Sequence, residues 1–73
     1  MGASNSNVID IIRPSARALL RRAAADKAGR VTGCGTDFDL LERGGFLRPL
    51  PGIHQWVITL RGRDYLLRLA RAH

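Results

Sequence analysis

Apolar residues at Ala16, Leu19, Leu20, Ala23 and Ala24 recur at helical spacing and lay one stripe along a helix, with Pro14 and Ser15 ahead of it. The spacing predicts a helix over 14–28, stopped where Gly29 supplies a left-handed residue. A second stripe, Tyr65, Leu66, Leu69 and Ala70, opposes Arg61, Asp64, Arg68 and Arg71 and predicts an amphipathic helix from Leu60 to the C-terminus. Between them, Arg30-Val31-Thr32 reads as a short strand and Gly33-Cys34-Gly35 as a turn. Thr36 then looks like the N-cap of a short helix over 37–43, with Asp39 as its box partner and both Asp37 and Asp39 favoured by the helix dipole. That helix should end at Gly44. Phe46 to Leu50 and His54 to Thr59 form a hairpin through Pro51-Gly52, as a type II turn or a longer loop built around it, and Pro49 and Pro51 mark the first strand as an edge. Thr59 ends the second strand where it can cap the last helix. Val8-Ile9-Asp10-Ile11-Ile12 is apolar and β-branched but brief, and a strand, a helical turn and a greasy arm that closes the core all fit it.

Seventy-three residues make one domain, and a chain this short hides only about 60% of the surface its unfolded form exposes, so its core must be thin. Residues 1–7 are small and polar, without the charged start and apolar middle of a signal peptide, and are expected to be a flexible arm before a single domain over 8–73. No apolar run approaches the roughly 20 residues that span a bilayer, so the expectation is a cytoplasmic protein without a membrane anchor. Cys34 is the only cysteine, and with His54 and His73 it offers too few soft ligands for structural zinc; neither metal nor cofactor is expected.

Charge changes the picture more than composition does. The net charge is +6, with 12 Lys and Arg against six acids, and so large an excess on so small a body points to nucleic acid or an acidic protein surface as partner. A GC-rich genome also favours Arg over Lys, and composition alone does not choose between these causes. The charge is unevenly spread: residues 1–30 carry six cations and two acids, 31–47 one and three, and 48–73 five and one.

The stretch Leu40-Leu41-Glu42-Arg43-Gly44-Gly45-Phe46-Leu47, followed by Trp56-Val57-Ile58-Thr59-Leu60-Arg61-Gly62-Arg63-Asp64-Tyr65-Leu66, resembles the C-terminal half of winged helix-turn-helix proteins of the MarR and PadR type over residues 36–70. The resemblance implies an α+β, compact winged-helix-like domain in the order helix, short strand, helix, hairpin, helix. Two departures bear on function. Only the seven residues Arg30 to Thr36 separate the first two helices, too few for the middle helix of the full motif. The helix in the recognition position carries Asp37, Asp39 and Glu42 against Arg43, and would be repelled by phosphates.

Candidate residues follow from charge and shape. Arg17 and Arg21 lie one turn apart on the expected exposed side of the first helix, while Arg48, Arg61 and Arg63 flank the base of the wing, where the hairpin should bring them near one another. These five are the expected contacts to nucleic acid or a partner. Trp56, on one face of the second wing strand with His54 and Ile58, either covers the core or serves as an aromatic anchor. Gly33-x-Gly35 lacks the lysine and hydroxyl of a P-loop and reads as a tight turn, Cys34 reads as a small core residue or a reactive thiol with His54 as partner, and Arg22 with Asp26 reads as a helix-surface pair.

The expected function is a non-enzymatic, basic accessory or regulator that binds double-stranded DNA non-specifically through its phosphates, with a homodimer among the expected assemblies. A chain of this size, starting at its methionine, is also similar in type to small phage-encoded proteins. The alternative is therefore a phage-type inhibitor or adaptor, for example anti-CRISPR-like, that binds an acidic or DNA-binding surface of a host complex.

Overall fold

A computed structural model of the protein describes residues 12–71. They form helix α1 (Pro14–Ala25), strand β1 (Arg30–Thr32), helix α2 (Thr36–Arg43), strands β2 (Leu47–Pro49) and β3 (Gln55–Ile58), and helix α3 (Leu60–Arg71). The three strands make one antiparallel sheet in the order β1-β3-β2, so the described residues are a small α+β domain of three helices and a three-stranded sheet.

Proline opens α1, where its missing N–H has no partner to lose, and Ala16, Leu20 and Ala23 turn their stripe into the core. The helix ends at Ala25, three residues short of the expected limit. The cause is Asp26, whose backbone turns to ψ 143 and whose carboxylate accepts the N–H groups of Ala28 and Arg30 at 2.9 and 3.0 Å. Gly29 has the expected left-handed backbone, φ 73, but serves the turn into β1 instead of the helix end. Asp26 therefore does not pair with Arg22; among the described residues the only ion pair is Arg68 with Asp64, 3.0 Å apart. The bonds from Arg30 N–H and Ala28 N–H hold the Asp26 carboxyl below the usual carboxylate range. A lowered folded-state pKa adds stability that is complete above the unfolded value and is lost as pH falls through the folded one. Melting Asp26→Ala beside the parent should show a deficit at neutral pH that disappears in strong acid.

The start of α2 departs by one residue from the sequence reading, while its end falls where expected. Gly35, at φ 126, is the N-cap, so Thr36 is the first helical residue and makes no capping bond, and no box forms with Asp39. At the other end the helix stops at Arg43 with Gly44 as its C-cap, as expected, and Gly45, at φ 81, takes the left-handed position. Gly45 N–H then reaches the Glu42 carbonyl at 3.0 Å and Phe46 N–H the Leu41 carbonyl at 2.8 Å, the paired bonds of a Schellman stop, with Phe46 and Leu41 both in the core.

In the sheet, Leu47 faces Ile58, Arg48 faces Val57 and Pro49 faces Trp56, while on the other side of β3 Arg30 faces Val57 and Val31 faces Trp56. Bonds from Thr59 N–H to the Phe46 carbonyl and from Leu50 N–H to the Gln55 carbonyl flank the β2 ladder. Alternation then makes Arg48 and Val57 a hydrogen-bonded pair and turns the nitrogen of Pro49 away from β3, where its missing N–H costs nothing. His54, at φ 56, belongs to the hairpin loop and not to the strand, so it does not share a strand face with Trp56 and Ile58 as the alternation suggested.

The hairpin is bolted to α3 through Thr59. Its hydroxyl donates to the Gly45 carbonyl at 2.6 Å and accepts Gly62 N–H at 3.0 Å, which is the N-cap expected there. The helix can approach so closely because residue 62 is glycine: a Cβ there would stand 2.5 Å from the Phe46 carbonyl oxygen. Of the expected apolar stripe, Tyr65 is buried and Leu66 and Leu69 are half-buried, but Ala70 is exposed, since α3 rests on the core mainly by its first three turns. Leu20, Leu41 and Leu47 are fully enclosed at the centre, and Ile12 closes the α1 end. The expectation that Val8 or Ile11 also helps, and the arm over 1–7, lie outside the described residues.

Candidate functional site

The sheet has two chemically different faces. Val31, Leu47, Trp56 and Ile58 point toward the helices and belong to the core or pack against it. Alternation sends Arg30, Thr32, Arg48, Gln55 and Val57 to the opposite face, where Arg30, Val57 and Arg48 form one cross-strand row and Thr32 and Gln55 the start of the next. Val57 is half-buried in the middle of its row, and the other four are exposed. No described helix covers this face, and no strand residue on it is acidic.

The first turn of α3 sends its two arginines in different directions, as positions two apart on a helix must go. Arg63 reaches the β1 side, where its Nη2 and the Val57 Cγ2 both lie within 4 Å of the point a Cβ on Gly29 would occupy. Arg61 reaches the β2 side, its guanidinium 5.4 Å from the centre of the Phe46 ring and its Cδ against Gly45. The expected grouping of Arg48, Arg61 and Arg63 is thus divided: Arg48 and Arg63 border the open sheet face, and Arg61 lies over the aromatic pair Phe46 and Tyr65. Arg30 takes the third place. It was missed because its face depends on the register of β1 against β3, although the strand itself was legible.

On α1, Arg17 is half-buried and donates from Nη1 to the Ile12 carbonyl at 2.9 Å, so it is partly structural and not on a fully exposed side. Arg21 is exposed beside it, in a shallow groove shared with Pro14 and Leu69. Trp56 is half-buried, its ring 5.5 Å from that of Phe38 and its Nε1–H donating to the Gly33 carbonyl at 2.8 Å. The polar atom an aromatic anchor would offer a partner is therefore already engaged within the fold.

The glycine turn is also engaged. Gly33 N–H donates to the His54 carbonyl at 2.8 Å, which removes one of the amides a phosphate cradle would use. Cys34 is exposed in this turn, so of its two readings the small core residue is not met. Among the described residues no three His, Cys, Asp or Glu side chains gather in a way that could hold a metal ion, and no helix is long and apolar enough to cross a membrane. No family model, curated protein or solved structure matches the chain.

Proposed function

We propose that this chain is a small, non-enzymatic nucleic-acid-binding protein of winged-helix-like build that acts as an accessory or regulator and holds double-stranded DNA through its phosphates. The element order and the β1-β3-β2 sheet support the winged-helix reading, with α2 in the place of the recognition helix. The carrying observation is the separation of charge. Arginines populate α1, the sheet and α3, whereas α2 bears Asp37, Asp39 and Glu42 against Arg43. Contacts made by arginine to phosphate fix a protein on a duplex without reading its sequence. Two 20-base-pair duplexes of unrelated sequence should therefore bind within about threefold of each other, well below the thousandfold or more that separates specific from non-specific sites. A strong preference for one of them would overturn this reading.

The alternative, a phage-type inhibitor or adaptor of anti-CRISPR-like kind, draws support from a different observation. Ile53 at the hairpin loop and Leu60 and Leu67 on α3 are 79%, 86% and 57% exposed, and phosphates make no use of such side chains. Capture of a protein together with loss of duplex binding would favour it.

A further inference from the structure

The nucleic-acid reading leaves open which surface meets the duplex, and the obvious candidate by position, α2, has the wrong charge. We propose that the face of the sheet that no described helix covers lies against the sugar–phosphate backbone of double-stranded DNA, with Arg30, Arg48 and Arg63 as the phosphate contacts and Thr32 and Gln55 as neutral donors beside them. This inference rests on the reading above and places the partner on a defined surface.

Geometry and charge together carry it. Arg30 and Val57 face each other across a non-hydrogen-bonded position and Val57 and Arg48 across a hydrogen-bonded one, which sets the two arginine Cα atoms about 10 Å apart. Arginine side chains are long enough to adjust a span of this size, so the two guanidinium groups can meet phosphates of a single backbone. Arg63 stands at the β1 end of the same row. Asp26 lies close enough to feel the Arg30 charge but gives its carboxylate to two backbone N–H groups, and among the described residues none of the three arginines is in an ion pair. The face offers hydroxyl, amide and guanidinium donors around one valine. It has no aromatic residue of the kind that anchors protein interfaces, which favours a phosphate backbone over an acidic protein. α2 packs on the other side of the sheet, where Phe38 meets Trp56, so its acids point away from DNA held in this way.

The test compares two variants that remove the same charge. Arg30→Gln/Arg48→Gln/Arg63→Gln is measured beside Arg43→Gln/Arg68→Gln/Arg71→Gln by anisotropy of a labelled mixed-sequence 20-base-pair duplex over a salt series, after thermal melts establish that both are folded. The sheet variant should bind at least thirtyfold more weakly than the parent at low salt. Its slope of log affinity against log salt should be shallower by about 2.7, the value for three lost phosphate contacts. The second variant should stay within threefold with its slope unchanged. Equal weakening of both, or parent-like binding by the sheet variant, would overturn the placement while leaving the nucleic-acid reading in force. A parent that binds no duplex at low salt would overturn both. If the sheet variant does not fold, amide shifts of the parent on adding duplex decide: changes at Arg30, Thr32, Arg48, Gln55 and Val57 support the placement, and changes confined to α2 refute it.

Discussion

Leu41→Ala is expected to leave the protein largely unfolded at 37 °C, or to lower its melting temperature by about 8 °C or more. Leu41 is fully enclosed, and its carbonyl closes the Schellman stop that leads into β2, so its side chain sits where α2, the sheet and α1 converge. Truncating an enclosed leucine to alanine costs about 2–5 kcal/mol, depending on how far the surroundings collapse. A domain of this length has roughly 4–11 kcal/mol in total. Each kcal/mol shifts the midpoint of a small domain by about 4–8 °C, and the thin core has few large residues that could move into the gap. A thermal melt by circular dichroism reads the result directly. A shift of only a degree or two would mean that the core is centred elsewhere.

What was legible in the sequence was governed by local chemistry. Thr59 announced the cap of α3, the Pro49 and Pro51 pair announced an edge strand, and Arg30-Val31-Thr32 announced the third strand of the sheet. Each of these depends on the residue and its immediate neighbours. The misplaced ends have local causes too, but competing ones. Thr36 and Gly35 are both acceptable caps, and the unusual backbone at Gly35 decided between them. Asp26 satisfies a turn in preference to a helix-surface pair because two backbone N–H groups lie within its reach.

The site was less legible, for a different reason. The proposed binding surface is an assembly of side chains from β1, β2 and α3, and membership in it is settled by register and helix rotation. Arg48 and Arg63 were identified by their positions near the wing base, but Arg61 follows the opposite side of α3 to Phe46, and Arg30 enters through cross-strand pairing with Val57. The count of arginines signalled an anionic partner; it carried no information about which of them share a face. Trp56 shows the converse. Large and isolated in composition, it fits a core cover and an anchor alike until it is found packed against the core with its indole N–H on the Gly33 carbonyl.

The largest effect expected on function is that of salt. With three or more phosphate contacts, counterion release makes the affinity for any duplex fall with a slope of about −2.7 or steeper, which is about a 40-fold loss between 50 and 200 mM salt. A contact surface built on apolar residues such as Ile53, Leu60 and Leu67 would behave otherwise, since burial of apolar area is little affected by salt in this range. Titration of the parent protein into a labelled mixed-sequence duplex across that range is the direct measurement. Binding at 50 mM that weakens by about 40-fold or more at 200 mM is the expected result; no binding at 50 mM, or an affinity that does not change with salt, would contradict the assignment of this protein to the phosphate-binding class.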